Sequence, residues 1–304
     1  MRRAAIFLAV LSACLTVGIA GAAQASPILA RSTVTALAAD GDDVAFSASR
    51  TRVDCDRVFI WQRLSGQMFQ LGKRQRCALG IATVTSVAVS SGRALWLTSS
   101  GGKAVAVDWQ LWTATATRKT PHLLQLVTRQ PTDPPPIVVG AAGGGLLPYA
   151  VDTTVTTLRA NGSIAFSWTA STPVVALAAA VGRVAVAEAQ RVTVLDPHGK
   201  ILSVDLYASD VSAVGLVARG LVVQRGLVID LRRGTDAHEF AITADSHLAD
   251  AEGKAVAWLD GKLVHVLHLP DGVQTATFAG SWAAIAGTRL YVANGRAITV
   301  RTIR

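Results

Sequence analysis

One pattern recurs along the chain, and it limits what the chain can fold into. Five segments share it: TALAADGDDVAFSA (35–48), TSVAVSSGRALWLT (85–98), VVALAAAVGRVAVAEA (174–189), HLADAEGKAVAWLD (247–260) and WAAIAGTRLYVANG (282–295). Each is an Ala-rich strand, a turn containing Gly, a polar or basic residue, and a second alternating strand. VVGAAGGGLLPYAVD (138–152) and SAVGLVARGLVVQRG (212–226) are looser copies. Behind each copy comes another strand pair around a polar turn, clearest at LSGQ, DPHGK, RRGTD and LPDG.

Four antiparallel strands repeated at such a period predict a β-propeller. A lone four-stranded blade has two apolar faces and can bury neither, so blades must stack around an axis. The innermost strand of each blade lies beside a crowded channel, which accounts for its Ala, Val, Ser and Gly. Composition agrees: 51% of the residues are hydrophobic and only 16% charged, which suits half-buried strands better than helices. The fold expected is all-β, a seven-bladed propeller with units starting near residues 34, 85, 137, 174, 211, 247 and 282. Six or eight blades are the alternatives, because the second and third units are irregular. There, DWQLWTATATRKTPHLLQLVTRQPTDPPP (108–136) exceeds the need of one strand pair, and its Pro cluster reads as a stiff connection. The last unit has only three strands. Its outer strand is expected from PILARST (27–33), so that the two ends of the domain close the ring.

Residues 1–25 read as a secretory signal and 26–304 as one propeller domain. Arg2 and Arg3 form the positive n-region, Ala4 to Ala22 the apolar stretch, and Ala23-Gln24-Ala25 the cleavage site. Leu11-Ser12-Ala13-Cys14 also matches a lipobox, so lipid anchoring on Cys14 is an alternative, as is an uncleaved anchor. The apolar run continues past Cys14, which favours simple secretion. No other segment is long and apolar enough to span a membrane. Export permits a disulfide between Cys55 and Cys77. A hairpin pairing Leu64 with Met68 around Ser65-Gly66 would set the two cysteines opposite each other.

Through its blade pattern the chain resembles the large group of secreted bacterial β-propellers of the TolB-like, WD40-like and quinoprotein-like kinds. It lacks the Gly-His and Trp-Asp pairs of true WD40 repeats, the Asp-box of sialidases and the tryptophan-docking repeat of quinone-dependent dehydrogenases. The resemblance implies a range of activities from hydrolases to protein-interaction platforms, so function has to be read from the residues.

Those residues carry few chemical signals. His265 and His268 lie three apart on one strand and face opposite ways, which makes a shared metal difficult. Asp40, Asp42 and Asp43 sit in an Asp-Gly turn without EF-hand spacing. Glu188, Glu239 and Glu252 are the only glutamates. No metal site and no cofactor is expected. Phe46, Trp96 and Trp258 hold equivalent second-strand positions, as inter-blade packing requires; Trp109 and Trp112 are the better candidates for an exposed aromatic surface.

The most distinctive feature is a basic residue at the hairpin between second and third strands in six units: Arg52, Lys103, Arg191, Arg225, Lys262 and Arg296. Together they form a candidate ligand-binding rim for anions. The opposite rim also receives Arg93, Arg183, Arg219, Lys254 and Arg289, where gatekeeping against aggregation is a sufficient reason. The net charge of +9 serves solubility or an anionic partner.

The expected function is a non-catalytic interaction or ligand-binding scaffold in the cell envelope. It would be monomeric, with a protein or anionic envelope polymer as partner and no nucleic acid. The alternative is a hydrolase or lyase acting on carbohydrate or lactone, which needs three or more convergent His, Asp or Glu side chains at one end of the channel.

Overall fold

Alternation of small apolar and polar residues, cut by glycine turns, produces strands and nothing else among the described residues. The computed structural model describes residues 27–48, 57–72, 83–101, 106–218, 220–233, 236–269 and 273–303. In chain order a short strand β1 (Ile28–Leu29) precedes blade one, β2 to β5 (Val34–Asp40, Asp43–Ala48, Arg57–Gln62, Gln67–Gln70). Blade two is β6 to β9 (Thr83–Ser90, Arg93–Ser100, Val107–Thr115, His122–Arg129). Blade three is β10 to β13 (Ile137–Val139, Leu146–Val151, Thr154–Arg159, Ile164–Thr169). Blade four is β14 to β17 (Ala176–Ala180, Arg183–Glu188, Arg191–Leu195, Ile201–Leu206). Blade five is β18 to β21 (Val211–Val217, Gly220–Arg225, Val228–Arg233, Asp236–Ala241). Blade six is β22 to β25 (Ser246–Glu252, Ala255–Asp260, Leu263–His268, Val273–Ala279). Blade seven holds β26 to β28 (Trp282–Ala286, Arg289–Asn294, Ala297–Thr302).

Seven four-stranded antiparallel sheets result, and the seventh has the order β1-β28-β27-β26. Ile28 pairs with Ile298 and Leu29 with Ala297, so the ring closes with the strand expected from residues 27–33. Beyond it, the Ala30 and Val34 N–H groups donate to the Arg296 and Gly295 carbonyls (both 2.8 Å).

The core is seven seams, one between each pair of neighbouring blades. At the seam of blades seven and one, Phe46, Val44 and Trp61 pack with Tyr291, Ala293 and Ile298. Phe46 stacks on Phe59 at 5.2 Å, and Trp61 meets Tyr291 edge-on at 6.2 Å. Trp96 packs at the seam of blades one and two. Trp258 packs at that of blades five and six, as the repeat predicts. Trp109 and Trp112 take opposite faces, as their spacing requires. Both are drawn into seams, however, Trp109 toward blade three and Trp112 toward blade one, because β8 and β9 are simply long.

Blade three departs from the pattern. Its first strand ends after three residues, and the chain continues as Gly140-Ala141-Ala142-Gly143 against the backbone of blade four. The Ala141 N–H donates to Leu177 O (3.2 Å), and the Ala179 N–H donates to Ala141 O (2.7 Å), a parallel bridge between two blades. Two backbones approach this closely only where side chains are missing.

One register differs from expectation. The hairpin of β4 and β5 pairs Gln62 with Gln67 and Phe59 with Gln70 around a four-residue turn. That is offset by three positions from the Leu64–Met68 pairing on which opposition of Cys55 and Cys77 was argued. The wider turn lets Arg63 reach Asp42, which sets the register. Cys55, Cys77 and Cys14 lie outside the described residues.

Candidate functional site

Hairpins between first and second strands all open on one face of the ring, here face one. Those between second and third strands open on the other, face two. The strand pairing fixes which side chains reach which face, and the two faces differ in chemistry.

On face one three of the basic residues that open the second strands bind the next blade, whereas Lys254 is exposed. Arg93 donates to Ala160 O of blade three (2.7 Å) and to Thr113 Oγ1 (3.1 Å). Arg183 donates to Val217 O of blade five (2.6 Å). Arg289 donates to Asp42 Oδ1 of blade one (3.0 Å), which also takes Arg63 (2.6 Å). A guanidinium has the length and the planar donors for this. These cations are therefore staples across the seams, a role that a local reading of sequence cannot see. Arg219 lies outside the described residues.

Carboxylates do the same work nearer the channel. Asp43 Oδ2 accepts the Gly92 N–H (2.6 Å). Asp250 accepts the N–H groups of Ala251 (2.8 Å) and of Ile285 in blade seven (2.7 Å). Glu252 accepts the Gly287 N–H (3.2 Å). Asp40 accepts from the Ser90 hydroxyl, and it also holds the Gly144 N–H of blade three, two blades away. Ser90 Oγ in turn takes the Gly145 N–H (3.0 Å). A bond that skips a blade must cross the hollow of the ring, so the Gly-rich turn of blade three reaches into the channel mouth. Asp40, Asp250 and Glu252 lie close enough there for their charges to interact. Burial pushes Asp250 up to about 6, and burial together with Asp250 pushes Glu252 up to about 7; burial also raises Asp40.

A pH dependence follows. A carboxyl whose folded pKa is raised stabilises the fold below its unfolded value, and that stability is lost as pH rises through the folded pKa. Between about pH 4 and 7 the melting temperature is expected to fall with rising pH, and Asp250→Asn should flatten the slope. A melting temperature that rises across this window would show that the trio is not strained.

Asp40, Asp42 and Asp43 are thus each engaged, and among the described residues no group of three His, Cys, Asp or Glu can hold a metal ion. His265 stacks on Trp258 at 5.2 Å, on the opposite face of its strand from His268.

Four of the six basic residues named for the rim, Arg191, Arg225, Lys262 and Arg296, are among the described residues and lie on face two. Arg52 and Lys103 lie outside the described residues. Arg191 sits 3.7 Å from Glu188 and donates to Ser171 Oγ (3.1 Å). Arg225 pairs with Glu239 (2.8 Å) and Asp230 (3.6 Å) and lies over the Tyr207 ring. Arg232 covers Tyr207 too, at 4.5 Å, and burial drives the phenol up to about 12. Lys262 and Arg296 are exposed, the latter donating to Ala30 O (3.1 Å). Beside these cations stand exposed aliphatic side chains on four successive blades: Val175 and Leu206, Leu227, Leu263 and Leu29. Their signal in the sequence was faint, since a lone aliphatic residue at a turn or strand end is unremarkable until five align on one rim.

Blade four adds a groove of about 420 Å³ on face two, lined by Ser171, Thr172, Glu188, Arg191, Leu206 and Tyr207 among others. Glu188 is almost fully buried and accepts the Thr172 N–H (2.6 Å) and hydroxyl (3.2 Å) on Oε1. Glu188 Oε2, Arg191 Nε and Tyr207 Oη are buried without a hydrogen-bond partner.

No family model matches the sequence, and no curated protein matches it. Solved structures do resemble the fold. The Swd1 (Cps50) β-propeller domain of Myceliophteria thermophila aligns over 92% of this chain and all of its own, at 14% identity and TM-score 0.58. Sqt1 of Saccharomyces cerevisiae aligns over 91% of this chain and 98% of its own, at 12% identity and TM-score 0.52. Raptor of Chaetomium thermophilum aligns over 91% of this chain at 12% identity and TM-score 0.56, and this chain spans 29% of it. At such identities the likeness is one of fold, that of a β-propeller.

Proposed function

We propose that this propeller is a non-catalytic interaction scaffold working outside the cytoplasm, with face two as its contact surface. The arc of Val175, Leu206, Leu227, Leu263 and Leu29 beside the exposed cations Lys262 and Arg296 carries the reading. Exposed aliphatic groups flanked by cations mark a protein-docking surface better than a solvated one. A protein partner with an acidic, partly apolar face suits it best; an anionic envelope polymer would use the cations alone. The WD40-like fold of the neighbours agrees with a scaffold in general terms.

Leu227→Asp with Leu263→Asp is expected to abolish capture of the partner from envelope extract without changing the melting temperature. Equal capture by this variant and the wild type would remove face two from the proposal. Turnover of a chromogenic lactone or glycoside that Glu252→Gln abolishes would replace the scaffold with an enzyme at the channel mouth. Export and a Cys55–Cys77 disulfide belong to the same proposal. A mature N-terminus at Ser26 supports release, one at Cys14 supports lipid anchoring, and a non-reducing peptide map tests the link.

A further inference from the structure

Blade four ends in an unusual outer strand. Among the described residues β17 pairs with β16 alone, so one row of its backbone N–H and C=O groups faces away from the sheet. Outer strands in stable proteins are normally blunted by shortness or charge. β1 has two residues and β5 four, β9 carries His122 and Arg129, and β21 carries His238 and Glu239. β13 (IAFSWT) is uncharged, but Ile164 is its single exposed large aliphatic side chain, and β25 (VQTATFA) is mostly Gln, Thr and Ala. β17 instead reads ILSVDL, with Ile201 46% exposed, Leu202 54%, Val204 42% and Leu206 73%. Its one charge, Asp205, is held by Arg232 of blade five at 3.3 Å. The pairing with β16 shifts at Leu202, after which Ser203 to Leu206 run regularly and put Val204 and Leu206 on one side.

The strand leads straight into the groove on face two, whose lining includes Leu206 and Tyr207. There Glu188 Oε2 lacks a donor and Arg191 Nε lacks an acceptor, and the two atoms lie 3.7 Å apart. A side chain with an amide or hydroxyl group satisfies both at once. A charged group does not, because the pair is already neutral.

We propose that β17 and this groove receive an extended segment of a partner protein, added to blade four as a fifth strand. The segment is apolar at alternate positions, opposite Val204 and Leu206, and carries Asn, Gln, Ser or Thr at the end that enters the groove. The row of backbone groups selects the occupant, since only another backbone satisfies it at a strand's spacing. A second copy of the chain fits less well. Its β17 carries one hydroxyl, Ser203, in mid-strand and no amide or hydroxyl at the end that would enter the groove. It would also bring the Asp196–Lys200 turn, not a free segment, toward the groove. The inference rests on the interaction reading and names the chemistry of that partner.

The test is selection of random heptapeptides displayed on phage against the full chain, followed by titration of the enriched peptide as a synthetic. Enriched sequences are expected to alternate Val, Ile or Leu with polar residues and to end in an amide or hydroxyl side chain. Val204→Lys and Leu206→Lys should each weaken binding by about tenfold or more while leaving the melting temperature unchanged, since both side chains are exposed. Bound peptide should slow amide exchange at Ser203 to Leu206. Three results overturn the proposal: no enrichment, equal binding by Val204→Lys, or a dimer in sedimentation that Val204→Lys dissociates. If peptides fail here while the Leu227→Asp and Leu263→Asp variant still loses its partner, only the strand addition falls.

Discussion

Gly140→Val is expected to remove about 3 kcal/mol or more of stability and leave little soluble protein. A Cβ on Gly140 would stand 2.4 Å from Leu177 Cβ and 2.8 Å from Leu177 O. Neither neighbour can give way. Leu177 lies on the inner strand of blade four with its side chain in the seam, and its carbonyl accepts the Ala141 N–H. Gly143 is equally confined, 2.7 Å from Ala179 O. Even Gly140→Ala should therefore cost about 1 to 3 kcal/mol, an overpacking cost with no route of relief. Gly145 is the control: a Cβ there meets nothing, so Gly145→Ala bears only the strain of φ +82°, about 1 to 2 kcal/mol. Urea denaturation of the three variants decides it. A Gly140→Ala midpoint equal to wild type would mean that the two blades are not packed backbone to backbone.

Removal of residues 27–33 is the second large effect. It takes away β1 and the bonds from Ala30, and it uncovers Ile298 and the outer backbone of β28. About 2 to 4 kcal/mol should be lost, from a few hydrogen bonds and two or three small apolar groups. The informative readout is its location. Amide exchange should accelerate along Ala297 to Thr302, some 270 positions away in the chain, before any other blade responds. If exchange rises first in blade one, whose sequence adjoins the deletion, then β1 is not what holds blade seven.

Much of this was legible in the sequence, for a physical reason. Blades are local: hairpins such as Arg183–Glu188 with Arg191–Leu195 pair neighbours in the chain, so alternation and glycine turns reveal them. The closing strand was legible by counting, because a three-stranded end needs a partner. Contacts across the seams were not. Arg183 reaches Val217 and Asp40 reaches Gly144, partners on other blades without any shared local pattern. Cations that looked like gatekeepers therefore proved to be staples. Asp40 and Glu252 stand out as residues, but their grouping with Asp250 at the channel mouth has no local signal, because the three come together only when the ring closes. The register of β4 and β5 was misjudged by three, since a turn's width depends on the Arg63–Asp42 contact as well as on its glycine.

The pairing of Ile28 with Ile298 also has a meaning in time. A ribosome delivers the first of these residues long before the last, and the partner of β1 emerges only after six blades have been made. Until then blade seven has an open edge, and the seam holding Phe46, Trp61 and Tyr291 has one wall. The final seam is thus a completion signal written into the fold. A chain cut short before β28 keeps six blades and loses the latch, and it presents an unpaired strand edge that proteases can find.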